Sequence, residues 1–209
     1  MVDEGVIDAS DVCVFEMTER VGGRLFSLRG LGPDNDLTVD AGGYRTWPQF
    51  TPTLHALITE YLEIPMDCYD DTEPCEVFNI ITPDGKKGGF AKFVEEMMQR
   101  LVDGGACFYP YHELVSLQKV QVGSDEVAVS KQLLPTQEGI ISELHFANGV
   151  KARATTTTIL NLPQRPLLNI IRNSNFAAQG LLDMQKLDAL HSVQTVIAQK
   201  NYLYYSRGK

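Results

Sequence analysis

The sequence predicts an α/β fold, and the prediction depends on one strand, two helical patterns and one hairpin signal. The strand is the apolar run at residues 12–15, which is continuous, as expected for a parallel strand covered on both faces. Apolar residues recur with helical spacing at residues 54–62 and 90–101. Asn148-Gly149 lies between two strand-like runs, and this dipeptide is the strongest short hairpin signal.

The stretch that follows the first strand has the parts of half a nucleotide site. Glu16 ends the strand, and a polar loop then places Gly22-Gly23 between Arg20 and Arg24. In dinucleotide-binding folds an acid at this end of a strand accepts hydrogen bonds from ribose hydroxyls. Paired glycines let the backbone approach a bulky anion, and arginines offer forked donors to phosphate. The alternative is a solvated acid followed by a glycine turn with surface arginines.

The string ERVGGR at residues 19–24 resembles the flavin amine oxidase family, which includes monoamine, polyamine and L-amino acid oxidases. Its members carry an acid and then R-x-G-G-R just after the second strand of an FAD-binding domain. The resemblance implies a partial, Rossmann-like FAD-binding domain with an interleaved α+β substrate domain. Residues 1–50 and 83–165 would form the first, and residues 51–82 and 166–209 the second. FAD would contact Glu16, Arg20, Gly22, Gly23 and Arg24.

The start of the chain departs from the family pattern. A dinucleotide-binding unit needs a glycine turn, G-x-G-x-x-G, which takes the pyrophosphate at a helix N-terminus. No such pattern occurs before Val12, and Thr18 stands where many relatives have an arginine. The sequence is therefore expected to be a fragment, a truncated gene model or a degenerate relative.

The next family-like motif is D-x-GG at residues 40–43. In the family these residues lie against the flavin, and the resemblance therefore places Gly42 and Gly43 beside the cofactor. The alternative is a tight turn. Arg45 follows in a G-x-x-R-x-x-P pattern, where the L-amino acid oxidase branch has the arginine that pairs with the substrate carboxylate. An arginine stacked on neighbouring aromatic side chains is the alternative for this position.

The rest of the chain predicts further strands and helices. Strands are expected at residues 66–69, 77–81, 106–109, 114–122, 140–146, 150–154 and 155–162. Helices are expected from Gly88-Gly89 to Gly104-Gly105 and over residues 166–190. Leu114 occupies the place of the family's V-x-x-I motif, which gives adenine a backbone contact. Lys200 opens an aromatic-rich strand, where relatives have a lysine that holds a water at the flavin; a strand-edge lysine is the alternative.

Composition excludes some function classes. The net charge is −9 and there is no basic cluster, which argues against nucleic acid as a partner. No run of about 18 apolar residues predicts a membrane helix, and the acidic N-terminus does not have the pattern of a signal peptide. The four cysteines form no metal-binding spacing, so buried free thiols and a reducing, cytoplasmic setting are favoured.

The resemblance implies an FAD-dependent oxidoreductase. It would oxidise an amine or L-amino acid to an imine by hydride transfer to flavin, with O2 as the final acceptor. Two alternatives stay open. One is a non-catalytic remnant that keeps the fold but does not hold FAD. The other is a flavin desaturase or protoporphyrinogen oxidase-like enzyme, which leaves Arg45 and Lys200 without an obvious role.

Overall fold

The computed structural model describes residues 7–70, 73–121, 140–154, 156–175 and 183–193. Helices and strands are mixed along this part of the chain, which confirms the α/β class in its general form. The strands are β1 Cys13–Phe15, β2 Ser27–Leu31, β3 Leu37–Asp40, β4 Met66–Cys68, β5 Phe78–Ile80, β6 Cys107–Tyr109, β7 Leu114–Gln121, β8 Ile140–Phe146 and β9 Lys151–Ala154. The helices are α1 Pro52–Ala56, α2 Lys92–Asp103, α3 Gln164–Asn173 and α4 Met184–Ser192.

The described residues divide into two compact units. The first contains residues 7–14 and 19–108, and the second contains residues 15–18 and 109–193, within the described ranges. Each unit has its own cluster of buried apolar side chains. The predicted division into an FAD domain and a substrate domain stays a prediction.

Strands β1 and β6 pair in parallel. The Cys107 N–H donates to the Val12 carbonyl at 2.9 Å, and the Glu16 N–H donates to the Tyr109 carbonyl at 3.0 Å. The residue numbers of the bonded partners increase in the same direction along both segments, as in a parallel strand pair. This arrangement agrees with the parallel strand predicted at residues 12–15.

The side chains of β1 are less buried than its sequence predicts. In the parallel register Cys13 is opposite Cys107, and Phe15 is opposite Tyr109, whose ring stacks on that of Phe15 with 5.0 Å between centroids. Cys13 is exposed and Phe15 is only half-buried. The prediction of a buried Cys13 thiol is therefore wrong, since a short strand with one described partner leaves this position open to solvent.

In the first unit, the hairpin β2–β3 holds the start of helix α2. The Phe90 N–H donates to the Asp40 carboxylate at 2.8 Å, and the Ala91 N–H donates to the Ser27 hydroxyl at 3.0 Å. The Ser27 hydroxyl in turn donates to Asp40. N–H groups at the start of a helix lack intrahelical partners, so these side chains satisfy donors that would otherwise be buried without acceptors.

The core of the first unit depends on a helix that changes its winding. A π-helical turn, Leu57–Tyr61, continues α1, and the Leu62 N–H donates to the Leu57 carbonyl at 2.9 Å. Ile58 and Leu62 are fully or almost fully buried and pack with Ile80 and with the start of α2. The predicted helix over residues 54–62 is thus present, with a π turn in its second half.

In the second unit, helix α3 covers an antiparallel sheet in the order β7-β8-β9. The hairpin predicted around Asn148-Gly149 is confirmed. The segment after α3 binds the outer edge of β7: the Leu117 N–H donates to the Ser174 hydroxyl at 2.8 Å, and the Lys119 N–H donates to the Asn175 side chain at 2.9 Å. Side chains therefore satisfy donors of this edge strand.

Three sequence predictions are wrong in this part of the chain. Cys68 and Cys75 form a disulfide, so these cysteines are not free thiols, and the compartment argument based on free thiols loses its basis. Residues 156–162 of the strand predicted at 155–162 pair with no described strand, although their threonines favour one, and residue 155 lies outside the described ranges. The single helix predicted at 166–190 is two helices, with residues 176–182 outside the described ranges.

Glycine 42 sits against the backbone of the loop that contains ERVGGR. A Cβ built at Gly42 would overlap the Arg24 carbonyl oxygen, and the Gly43 N–H donates to this same oxygen at 3.2 Å. A side chain at residue 42 would therefore push two backbone segments apart.

We expect Gly42→Ala to lower the free energy of unfolding by roughly 3 kcal/mol or more, because backbone cannot move aside as a side chain can. Urea denaturation measures the change. Gly30→Ala is the matched control: residue 30 has a φ of 70° but open space around its Cβ, so it should lose only about 1–2 kcal/mol. Equal losses for the two variants would contradict the steric explanation.

Three side chains contact the carboxylate of Glu143 on β8. His145 Nε2 lies 2.7 Å from one carboxylate oxygen, Lys151 Nζ lies 3.4 Å from the same oxygen, and Arg153 Nε lies 3.1 Å from the other. The hydrogen bond from His145, then that from Arg153, lower the pKa of Glu143 to about 2. The folded state therefore binds a proton at this site less readily than the unfolded state does.

The Glu143 contribution to stability should be complete above about pH 4.5 and should disappear as the pH falls towards about 2. We expect Glu143→Gln to be destabilising near neutral pH and to converge with the unsubstituted chain at the acid end. Unfolding curves at a series of pH values measure the difference. A difference that does not change with pH would show that the carboxylate charge is not involved.

Candidate functional site

The predicted ribose-binding acid lies where a ligand can reach it. Glu16 directly follows β1, at the carboxyl end of a parallel strand, and is half-buried. Its Oε1 accepts from the Thr18 N–H and the Thr18 hydroxyl, both at 2.9 Å. Among the described contacts both side-chain bonds of Glu16 use Oε1, which leaves Oε2 as an acceptor for a ligand hydroxyl.

The structure brings Glu16 and Leu114 into the same unit, although 98 positions separate them in the sequence (114 minus 16). The Glu16 carbonyl accepts from the His112 N–H at 2.8 Å, two residues before Leu114. Phe15 and Leu114 both pack on the buried cluster formed by Leu117 and its neighbours. Leu114 and the residue directly before Glu16 therefore pack on one hydrophobic cluster.

The glycine pair of ERVGGR makes a turn that only glycine adopts easily. Gly22 and Gly23 have φ values of 101° and 52°. Space beyond Gly23 is open, whereas a Cβ at Gly22 would lie 2.9 Å from the Leu25 carbonyl oxygen. The Leu25 N–H closes the turn by donating to the Gly22 carbonyl at 2.8 Å. The open side at Gly23 is the part of this turn that a bulky anion could approach.

The two arginines of the motif have different surroundings. Arg20 donates to the carbonyls of Gly23 at 2.9 Å and Leu25 at 3.2 Å, and its guanidinium lies 4.3 Å from the centre of the Phe26 ring. Arg24 is exposed, and its side chain makes no hydrogen bond or ion pair within the described part of the chain. Arg20 therefore braces the turn, and Arg24 is the better candidate for a phosphate contact.

The D-x-GG residues have structural contacts. Asp40 accepts from the backbone before α2, and Gly42 is pressed against the Arg24 carbonyl. A Cβ built at Gly43 would lie 2.7 Å from the Leu25 side chain. These contacts bring the D-x-GG motif and the ERVGGR loop together in the first unit, and they explain the glycines without a ligand.

Arg45 is surrounded by aromatic rings. The centre of its guanidinium lies 4.6 Å from the centroid of Tyr44, 4.4 Å from that of Trp47 and 5.3 Å from that of Tyr69. Its Nε is buried and has no hydrogen-bond partner in the described part of the chain. A buried N–H donor without an acceptor costs free energy. An anionic ligand would supply an acceptor for this Nε.

Two cavities lie within the first unit. One, of about 320 Å³, is bordered by Arg20 and Phe26 of the ERVGGR region and by Met98 of α2. The other, of about 340 Å³, is bordered by His55 and Phe78, whose rings meet edge to face. His55 belongs to α1 and contacts Phe78 across this cavity.

The remaining predicted residue is outside the description. Lys200 lies beyond the described ranges, so its predicted water-holding role stays a prediction. Within those ranges no three His, Cys, Asp or Glu side chains come close enough to hold a metal ion. No described helix is long and apolar enough to cross a membrane.

The sequence did not predict some of the contacts around Arg45 and Asp40. Tyr69 and Lys87 join the aromatic group around Arg45 from distant positions, and Lys87 Nζ lies 5.1 Å from the Tyr69 centroid. Ser27 is the other omission, since its hydroxyl links Asp40 to α2. Tyr44 and Trp47 flank Arg45 directly, so the stacking alternative for Arg45 could be found from the sequence, whereas the distant partners could not.

The chain matches no family model, and a comparison with curated proteins gave no match. The relation to flavin amine oxidases therefore remains a resemblance carried by ERVGGR, D-x-GG and the residues around them.

We expect Arg45→Ala to expose Trp47, the one tryptophan of the chain. The guanidinium covers a face of the indole, so its removal should roughly double the rate of acrylamide quenching and lower the free energy of unfolding by about 1 kcal/mol. Lys87→Ala is the matched control, since its ammonium group stacks on Tyr69 instead. Unchanged quenching in Arg45→Ala would show that the stack does not persist in solution.

Proposed function

We propose that this chain forms part of an FAD-dependent oxidase that acts on a carbon-bound amine, with an α-amino acid as the favoured substrate class. The main support is that Glu16 stands at the carboxyl end of a parallel strand and shares a unit with Leu114. This is the placement that dinucleotide-binding folds use for the adenosine half of a cofactor.

The resemblance assigns a part of FAD to each of the predicted residues. Oε2 of Glu16 would accept from a ribose hydroxyl, and the backbone near Leu114 would meet the adenine. The exposed guanidinium of Arg24 and the open side of Gly23 suit a phosphate, since they offer charge and room. Bound FAD would supply the hydride acceptor, with O2 as the final oxidant.

Arg45 would orient the substrate. Its guanidinium is held by three rings, which fixes its plane before any ligand arrives. A carboxylate paired with a fixed guanidinium is restricted in position, and this restriction is the contribution that binding makes to rate. This role favours an α-amino acid over a simple amine, because a simple amine has no carboxylate.

A non-catalytic protein that keeps this fold is the second candidate. Arg20, Asp40 and Gly42 all have structural contacts that account for them without a ligand. Under this proposal ERVGGR and D-x-GG persist because they hold the hairpin, the glycine turn and α2 together. FAD binding separates the two candidates.

Titration of the full chain into FAD, followed by flavin fluorescence and visible absorption, tests cofactor binding. We expect saturable binding, and a dissociation constant about tenfold higher for Glu16→Gln, because a hydrogen bond to a charged group is worth about 1.5 kcal/mol. Glu60→Gln, an exposed acid on the π turn, is the charge-matched control. Absence of binding would favour the non-catalytic candidate.

Peroxide formation from L-amino acids tests the oxidase step on the FAD-loaded chain. Arg45→Lys keeps the charge and removes the fork, so it should raise KM for amino acids more than for amines of the same side chain. Equal increases in KM for amino acids and amines would contradict the proposal that Arg45 binds the substrate carboxylate.

A further inference from the structure

The two free cysteines of the described chain are neighbours in space. Cys13 of β1 and Cys107 of β6 are separated by more than ninety positions, and both belong to the first unit. The Cys107 N–H donates to the carbonyl of Val12, which places Cys107 opposite Cys13 in the parallel register. Opposite residues on paired strands lie about 4.8 Å apart, within the Cα–Cα range that a disulfide spans.

The side chains of Cys13 and Cys107 also lie on the same face of the strand pair. The Phe15 and Tyr109 rings, two positions further along each strand, stack with an interplanar angle of 14°. Alternation along a strand puts Cys13 on the side of Phe15, and Cys107 on the side of Tyr109. The Cys107 thiol lies near enough to the Cys13 thiol to raise its pKa.

We propose that Cys13 and Cys107 form a redox-active thiol pair, which a low-molecular-weight disulfide oxidises to an intramolecular disulfide between β1 and β6. This site is independent of FAD and of the proposed oxidase activity. Its partner is defined by chemistry: a small, soluble disulfide that can reach the exposed Cys13.

The reaction balances in two exchange steps. The Cys13 thiolate attacks one sulfur of the small disulfide, forms a mixed disulfide and releases one small thiolate. The Cys107 thiolate then attacks the Cys13 sulfur, forms the Cys13–Cys107 bond and releases the second small thiolate. The protein loses two electrons and two protons, and the small disulfide is reduced to two thiols.

Partial burial, and then the adjacent Cys107 sulfur, raise the pKa of the Cys13 thiol. The attacking thiolate is therefore scarce at neutral pH, and the first step should accelerate as the solution becomes more alkaline. The second step is intramolecular, so it should be fast once the mixed disulfide has formed.

Incubation of the full chain with oxidised glutathione, followed by peptide mapping without reduction, tests the proposal. We expect the Cys13–Cys107 linked peptide to exceed the glutathione adducts by about tenfold or more, with the Cys68–Cys75 linkage unchanged. Stable adducts on separate thiols, no reaction at alkaline pH, or a linkage from Cys13 to Cys68 or Cys75 would each overturn it.

Two serine variants sharpen the test. Cys107→Ser should stop at the mixed disulfide on Cys13, because the second nucleophile is missing. Cys13→Ser should react with glutathione at least about tenfold more slowly, because Cys107 is less exposed than Cys13. Circular dichroism before and after the reaction confirms that each variant is folded. Rapid modification of Cys107 in the Cys13→Ser variant would contradict the assigned order of attack.

Discussion

The first unit depends on two side chains of the β2–β3 hairpin, the buried Ser27 and the half-buried Asp40, which link the hairpin to helix α2. Their oxygens accept from two backbone N–H groups ahead of the helix and bind one another. Arg29 on the same hairpin adds a bond to the Gly88 carbonyl at 2.8 Å. Because the helix also supplies Phe93 to the buried cluster, the position of the hairpin and the composition of the core are linked.

This linkage changes how the family-like motifs should be interpreted. An acid and two glycines at residues 40–43 resemble a cofactor contact, yet here the acid meets a helix and Gly42 meets the backbone of Arg24. A motif can be retained for packing and used for binding at once, since the packed loop is what fixes a ligand-facing turn. The aromatic rings around Arg45 are a second example of a structural contact that could also serve binding. They hold the guanidinium whether or not an anion is present.

The sequence predicted local structure better than it predicted which distant residues come into contact. Helix α2 and the hairpin at Asn148-Gly149 follow from apolar spacing and turn chemistry, which are local properties. The Cys68–Cys75 disulfide and the lack of a strand at 156–163 depend on what comes near in space, and no residue pattern in the sequence reports that. Glu16 was placed correctly because a strand end is local, whereas its proximity to His112 and Leu114 required the fold.

The π-helical turn at Leu57–Tyr61 has a consequence for how this helix tolerates insertions and deletions. A π turn holds one residue more than an α turn over the same span, so the chain behind it is rotated by about 100° relative to a regular helix. Loss of one residue here would wind the segment back into a regular helix. The residues on either side of the turn would then keep their present faces, so the buried Ile58 and Leu62 would stay in the same cluster. This segment can therefore lose one exposed residue without a repacked core, whereas a deletion inside the regular helix α2 would rotate the rest of that helix by about 100°.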